Sequence, residues 1–208
     1  MTPRERLSTA RLYLVCPARS REWIAAAVRG GVDLIQLRDK SLDDAGLIEA
    51  AQAFVGHDAL FILNDRPDLV EACGADGVHV GQDDQPPAAA RALIGPDRVL
   101  GRSTHEPAQA AAADADPDVD YVAVGPVHET PTKPGRPAAG LDYVAFAAGA
   151  VTKPWFAIGG LDAANVHEVV ERGATRIVVV RAITDAEDPE AAARALRGAL
   201  EGRVGAGR

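Results

Sequence analysis

Eight short apolar runs, each followed by a helix-forming stretch, predict an α/β chain closed into a (β/α)8 barrel, a TIM barrel. Three observations carry that expectation. Most of the runs are continuously apolar rather than alternating, as in parallel strands covered on both faces. The units follow one another with no linker and no long unstructured insertion, so 1–208 reads as a single domain. The spaced glycines that open the competing architecture, an open doubly wound sheet, do not follow the first run.

The first strand is expected over 11–16, around Leu12-Tyr13-Leu14-Val15. Ser20 is placed to cap a helix whose apolar face holds Trp23, Ile24, Ala27 and Val28, closed by Gly30-Gly31. A second strand over 32–37 leads to Arg38-Asp39-Lys40, and a helix over 42–55 puts Leu47, Ile48, Ala51 and Phe54 on one face. The third strand, 60–63, ends at Asn64-Asp65, with Pro67 in the first turn of a short helix. A fourth strand over 77–80 and a helix over 86–94 follow, then a strand over 99–103 and an alanine-rich helix over 107–113. The sixth unit pairs a strand at 121–124 with a helix at 142–150. The seventh strand, 155–158, runs into Gly159-Gly160, with Asp162 expected to cap a helix reaching Arg172. A β-branched strand over 176–180 and a helix over 189–200 complete the set, and 202–208 reads as a flexible tail.

The chain carries 30 acidic and 22 basic residues, a net charge of −8, which argues against a general nucleic-acid binder. Cations gathered at a few loop ends of an acidic protein suit a small anionic ligand instead. Cys16 and Cys73 lie far apart without metal-ligand spacing and read as apolar fillers in a reducing compartment. With no targeting segment and no apolar run of membrane length, the expected setting is cytoplasmic, away from membranes.

In a barrel the residues just past each strand share one face, and that face holds the active site. Strand two supplies Gln36, Arg38 and Lys40 at i, i+2 and i+4, which puts them on one side of an extended segment. Asn64 and Asp65 follow strand three, Gln82 and Asp84 strand four, and Ser103 and His105 strand five. After strand six comes Gly125 to Gly135, where Thr130, Thr132 and Lys133 stand among Pro126, Pro131 and Pro134. Two hydroxyls and an ammonium in a loop stiffened by proline suit a phosphoryl group. Gly159-Gly160 and Arg181 end the last two strands.

Singly, each feature has a plainer reading. The Gln36, Arg38 and Lys40 triplet could be a solvated strand end, either aspartate a helix-start residue, and the glycine pair a turn. His105 reads more simply as a helix-start or packing residue, and His79 as structural. Jointly, three cations (Arg38, Lys40, Lys133) and two carboxylates (Asp65, Asp84) at one mouth suit Mg²⁺ bridging protein to phosphate. Gly160 and a helix beginning near Asp162 suggest a second anion site, hence two phosphorylated substrates. Without a convincing nucleophile–base triad, charge neutralisation on a leaving group is the expected strategy.

The series Gln36-Leu37-Arg38-Asp39-Lys40, Leu63-Asn64-Asp65-Arg66, Gly77-Val78-His79-Val80-Gly81-Gln82-Asp83-Asp84, Gly101-Arg102-Ser103-Thr104-His105, the 125–135 loop and Ala157-Ile158-Gly159-Gly160 resembles, in order, the motifs of the thiamine phosphate synthase family. The resemblance implies a transferase that condenses hydroxymethylpyrimidine pyrophosphate with thiazole phosphate. It implies Mg²⁺ held by Asp65 and Asp84. Arg38, Lys40, Asn64 and Lys133 would then neutralise the pyrophosphate, with Ser103 beside it. Gln36 would bond the aminopyrimidine edge, and Thr130, Thr132, Gly160 and the backbone at Val180 and Arg181 would hold the thiazole phosphate. It further implies a pyrimidinylmethyl cation captured by the thiazole nitrogen, small-molecule partners only, and a homodimer as the assembly to consider. Arg181 stands where that family frequently has serine, so a hydroxyl contact does not carry over and the guanidinium is free to pair with the phosphate. The alternative is a thiazole tautomerase-like isomerase with His105 as general acid–base, which would need neither Mg²⁺ nor pyrophosphate-binding cations.

Overall fold

The computed structural model describes residues 1–129 and 138–202. The eight apolar runs form one closed barrel of parallel strands: β1 (Leu12–Cys16), β2 (Leu34–Leu37), β3 (Leu60–Asn64), β4 (Gly77–Val80), β5 (Val99–Thr104), β6 (Tyr121–Val124), β7 (Trp155–Ile158) and β8 (Ile177–Val179). Closure is between β1 and β8, where Leu12 pairs with Ile177 and Tyr13 with Val178. The helices ring the barrel: α2 (Arg21–Arg29), α3 (Asp44–Ala51), α4 (Val70–Cys73), α5 (Pro87–Ile94), α6 (Pro107–Ala115), α7 (Gly140–Ala150), α8 (Val166–Glu171), α9 (Arg181–Thr184) and α10 (Pro189–Glu201), with α1 (Pro3–Thr9) preceding the first strand.

Strand alternation sorts the apolar residues into two cores. Leu12, Leu14, Ile35, Leu37, Phe61, Leu63 and their counterparts pack outward against the helices. Tyr13, Val15, Leu34, Leu60, Ile62, Val99, Tyr121, Phe156 and Val178 form the separate interior cluster. Three aromatic rings fill its middle edge to face: Tyr13–Tyr121 at 5.9 Å, Tyr13–Phe156 at 5.6 Å and Tyr121–Phe156 at 5.7 Å between centroids. Bulk there leaves no pore, so ligand chemistry is confined to the strands' C-terminal end.

The other end is closed by α1, which precedes the first element expected from the sequence. Thr2 and Glu5 form a reciprocal capping box, Pro3 starts the first turn, and Leu7, 2% exposed, joins the interior cluster. Arg176 donates to the carbonyls of Ala10 (3.0 Å) and Ser8 (2.9 Å), and Arg4 pairs with Asp120 at 2.7 Å. At that same end an aspartate precedes each of β2, β4 and β6 and accepts an amide from the strand before it. Asp33 takes the amide of Leu12 (2.9 Å), Asp76 that of Phe61 (2.8 Å) and Asp120 that of Leu100 (2.7 Å).

Three further expectations are corrected. The helix expected over 42–55 stops at Ala51, after which Gln52, Ala53 and Phe54 donate to carbonyls three residues back, although Phe54 stays buried. Asp162 caps no long helix. It holds a turn by accepting the amides of Ala164 (2.8 Å) and Asn165 (3.1 Å), and α8 begins only at Val166. Finally, Arg181 is the first residue of a short helix, α9, tucked between β8 and α10. No described helix is long and apolar enough to cross a membrane.

Candidate active site

The C-terminal mouth contains two adjoining cavities. The first, about 420 Å³, is lined by Gln36, Arg38, Lys40, Asn64, Asp65, Asp84, Ser103 and Val180, together with Tyr13, His79 and Gln82. The second, about 340 Å³, is bounded by Gly160, Val180 and Arg181, and shares Ser103 and His105 with the first. Strand placement thus brings together every site residue proposed from the sequence among those described. Thr130, Thr132 and Lys133 lie outside the described residues.

Asp65 and Asp84 come from the ends of adjacent strands and lie within hydrogen-bonding reach of each other. Burial, then the neighbouring Asp84 carboxylate, push the Asp65 carboxyl above its ordinary range, while Asn64 and Lys40 oppose the shift. The Lys40 ammonium is 3.9 Å from Asp65 and 68% exposed, leaving the pair's charge poorly balanced. Neither aspartate starts a helix. The Asp65 backbone sits in the left-handed region, φ 61°, anchored by its amide on the His79 carbonyl at 2.9 Å. Asp84 turns back on its own loop, one oxygen accepting the Gly81 amide at 2.7 Å.

Among the described residues no three His, Cys, Asp or Glu side chains gather as a metal cage. Two unbalanced carboxylates in an open cavity nonetheless fit a hard divalent cation that keeps water and phosphoryl oxygens as its other ligands, the habit of Mg²⁺. The 81–85 loop that carries Asp84 is held by Arg102, which donates to the Gly81 carbonyl at 2.7 Å, and by Gln82, which donates to the Ser103 carbonyl at 2.6 Å. Arg66, just after Asp65, clamps Asp44 at 2.5 Å and Asp68 at 2.7 Å, tying that loop to the start of α3. The carboxyls of both partners are held below their usual range, in each case chiefly by that guanidinium.

Sequence reasoning missed the floor of the first cavity. Gln36, 3% exposed, donates through Nε2 to the Tyr13 hydroxyl. The Tyr13 and Tyr121 hydroxyls are 3.0 Å apart, the Tyr121 hydroxyl is 3.1 Å from His79 Nδ1, and His79 Nε2 is 2.8 Å from Ser103 Oγ. Both tyrosines sit in apolar runs and looked like core residues. The available signal was chemical, because a buried phenol needs a partner.

The second cavity is shaped by backbone. Gly159 (φ 118°) passes so close to Pro126 that a Cβ would lie 2.6 Å from its Cα, and Gly160 (φ 64°) also needs glycine's freedom. Asn165 fixes this turn by donating to the Gly160 carbonyl at 2.8 Å. His105 stands between the cavities with Nδ1 2.7 Å from the Gly125 carbonyl, while its amide donates to Gln109 at 2.9 Å. It is a wall residue bonded to the backbone, not a helix cap.

Residues 12–183 match the family model described as thiamine monophosphate synthase. The thiamine-phosphate synthase of Streptomyces avermitilis is 50% identical over 202 residues, covering 92% of this chain and 94% of that protein. That of Thermobifida fusca is 51% identical over 206 residues, covering 94% of each. Among solved structures, the thiamine phosphate pyrophosphorylase from Pyrococcus furiosus superimposes with a TM-score of 0.85 at 31% identity, covering 97% of this chain and 99% of that one. The isomerase alternative gains no support from these likenesses.

Proposed function

The chain belongs to the thiamine monophosphate synthase family of transferases, and from that premise we propose how its own residues carry the reaction. The proposed reaction joins 4-amino-5-hydroxymethyl-2-methylpyrimidine pyrophosphate to thiazole phosphate, giving thiamine phosphate and pyrophosphate. One observation carries the assignment of roles: the Asp65–Asp84 pair shares a cavity with Arg38 and Lys40, above a floor set by Gln36. Cations beside a carboxylate pair suit a pyrophosphate and its metal together.

In this reading Gln36 meets the aminopyrimidine edge with an amide that offers both a donor and an acceptor. Arg38, Lys40, Asn64 and Ser103 surround the departing pyrophosphate, and Lys133 is the further cation that the sequence offers it. Asp65 and Asp84 would hold Mg²⁺, which when bound supplies positive charge against the phosphoryl oxygens. The bond from the pyrimidine methylene carbon to the pyrophosphate oxygen breaks, and both electrons leave with the oxygen. The methylene cation is then captured by the lone pair of the thiazole nitrogen, so no proton need be removed and no general base is required. Gly160, Val180 and Arg181, with Thr130 and Thr132, would hold the thiazole phosphate in the second cavity, which adjoins the first along the Ser103 wall. The partners on this reading are two small phosphorylated molecules in a cytoplasmic setting, which the net charge of −8 also suits better than nucleic acid.

Incubation with both phosphorylated substrates and Mg²⁺ should yield thiamine phosphate, and EDTA should stop it. Asp65→Asn and Asp84→Asn are the cleaner variants, because asparagine tolerates the left-handed backbone at Asp65 where alanine would add strain. Each should lower coupling by about 10²-fold or more and weaken Mg²⁺ binding by calorimetry, with the fold intact. Full turnover in EDTA would remove the metal from the reading, and failure to form thiamine phosphate would sink it altogether.

A further inference from the structure

We propose that Tyr13, Tyr121 and His79 form a one-way hydrogen-bond relay that orients Gln36 and Ser103, with the His79 ring proton on Nε2. This rests on the functional reading above only for what lies at the two ends. The direction follows from donor and acceptor counting. Gln36 Nε2 has only protons to give, so the Tyr13 oxygen accepts from it. Tyr13 then turns its own proton to the Tyr121 oxygen 3.0 Å away, and Tyr121 turns its proton to His79 Nδ1 at 3.1 Å. A neutral imidazole accepting at Nδ1 carries its proton on Nε2, which donates to Ser103 Oγ at 2.8 Å. The Ser103 proton is released toward the cavity, and Gln36 keeps its carbonyl and second N–H for a ligand.

Two observations support the relay beyond the distances. Burial raises both phenols far above their ordinary range, so each stays a hydroxyl and can pass a hydrogen bond on. Gly101 leaves the space it occupies: a Cβ there would lie 2.0 Å from Tyr121 Cζ and 2.5 Å from His79 Nδ1.

The sense of the relay matters for chemistry. Phosphoryl oxygens accept and cannot donate. Were the direction reversed, Ser103 would spend its proton on His79 and present only lone pairs to the leaving group. Gln36, anchored at the pyrimidine end, therefore sets the donor at the pyrophosphate end, with Tyr13, Tyr121 and His79 as positioning residues.

Nuclear magnetic resonance of the full chain labelled at histidine reads the tautomer directly. His79 should appear as the neutral Nε2-protonated form, and Tyr121→Phe, which keeps the ring but removes the donor to Nδ1, should shift it toward a tautomer mixture. Tyr121→Phe and Tyr13→Phe should each lower kcat by about 10-fold to 100-fold, the usual cost of losing an orienting partner, with little change in the KM of either substrate. The double variant should lose no more than the worse single one, because both break the same chain. An Nδ1-protonated His79 in the wild type overturns the relay whatever the activity, as does an unchanged kcat in both single variants. A wild type that forms no thiamine phosphate overturns the functional reading instead and leaves the tautomer to decide the relay.

Discussion

Cys16 illustrates how placement silences a reactive group. It ends β1 with 1% exposure, and burial pushes its thiol up to about 12, with Arg19 opposing the shift. A thiol raised in this way contributes full stability below its unfolded value, and that contribution is lost as pH rises through the gap toward the folded one. At about pH 8.5, near the ordinary thiol value, native protein should resist iodoacetamide at Cys16 while urea-unfolded chain reacts. Native labelling at the unfolded rate would mean that the end of β1 opens readily. The same scale explains what the sequence left hidden at the site. Gln36, Arg38 and Lys40 were legible because period-2 spacing fixes their shared side. Asp65 and Asp84 were legible as residues but not as geometry: the left-handed backbone of one and the inward turn of the other depend on the His79 carbonyl and the Gly81 amide.

Strands were easier to read than helices because each carries a short apolar run bounded by polar residues. β4, β6 and β7 occupy the residues expected of them. The misreadings at α1, α8 and α9 share a cause. These are helices of seven, six and four residues, too short for a helical period to emerge, and α1 and α9 bury one side chain each, Leu7 and Ile183. The aspartates before β2, β4 and β6 were equally opaque, since their partners lie on the preceding strand. Asp120 accepts from three partners, Leu100, Arg91 (2.6 Å) and Arg4. Asp120→Ala should cost about 1–3 kcal/mol in urea unfolding, because the Leu100 amide loses its acceptor at a site only 12% exposed, while Arg91 keeps three carbonyl partners and Arg4 is 47% exposed. With the reaction confined to the opposite end, both KM values should hold. A loss under about 0.5 kcal/mol would show that water replaces the carboxylate.

At the scale of the molecule, stability and chemistry occupy opposite ends of one barrel. Leu7→Ala should remove about 2–5 kcal/mol, the range for emptying a buried leucine site, while leaving kcat for coupling close to that of wild type. A matching fall in kcat at temperatures where the variant is fully folded would mean that the two ends communicate. The clasp around α1 also bears on how the protein is made. Arg176 reaches the Ser8 carbonyl across 168 positions, and β1 finds its second neighbour only in β8. During synthesis the first helix and strand emerge long before those partners, with one side of β1 unpaired and Leu7 without its pocket. Every additional strand on the ribosome extends an open sheet that other unfinished chains can join. The yield of usable protein therefore depends on how quickly the last strand arrives, and slowed growth that lengthens this wait favours aggregation even when the finished barrel is stable.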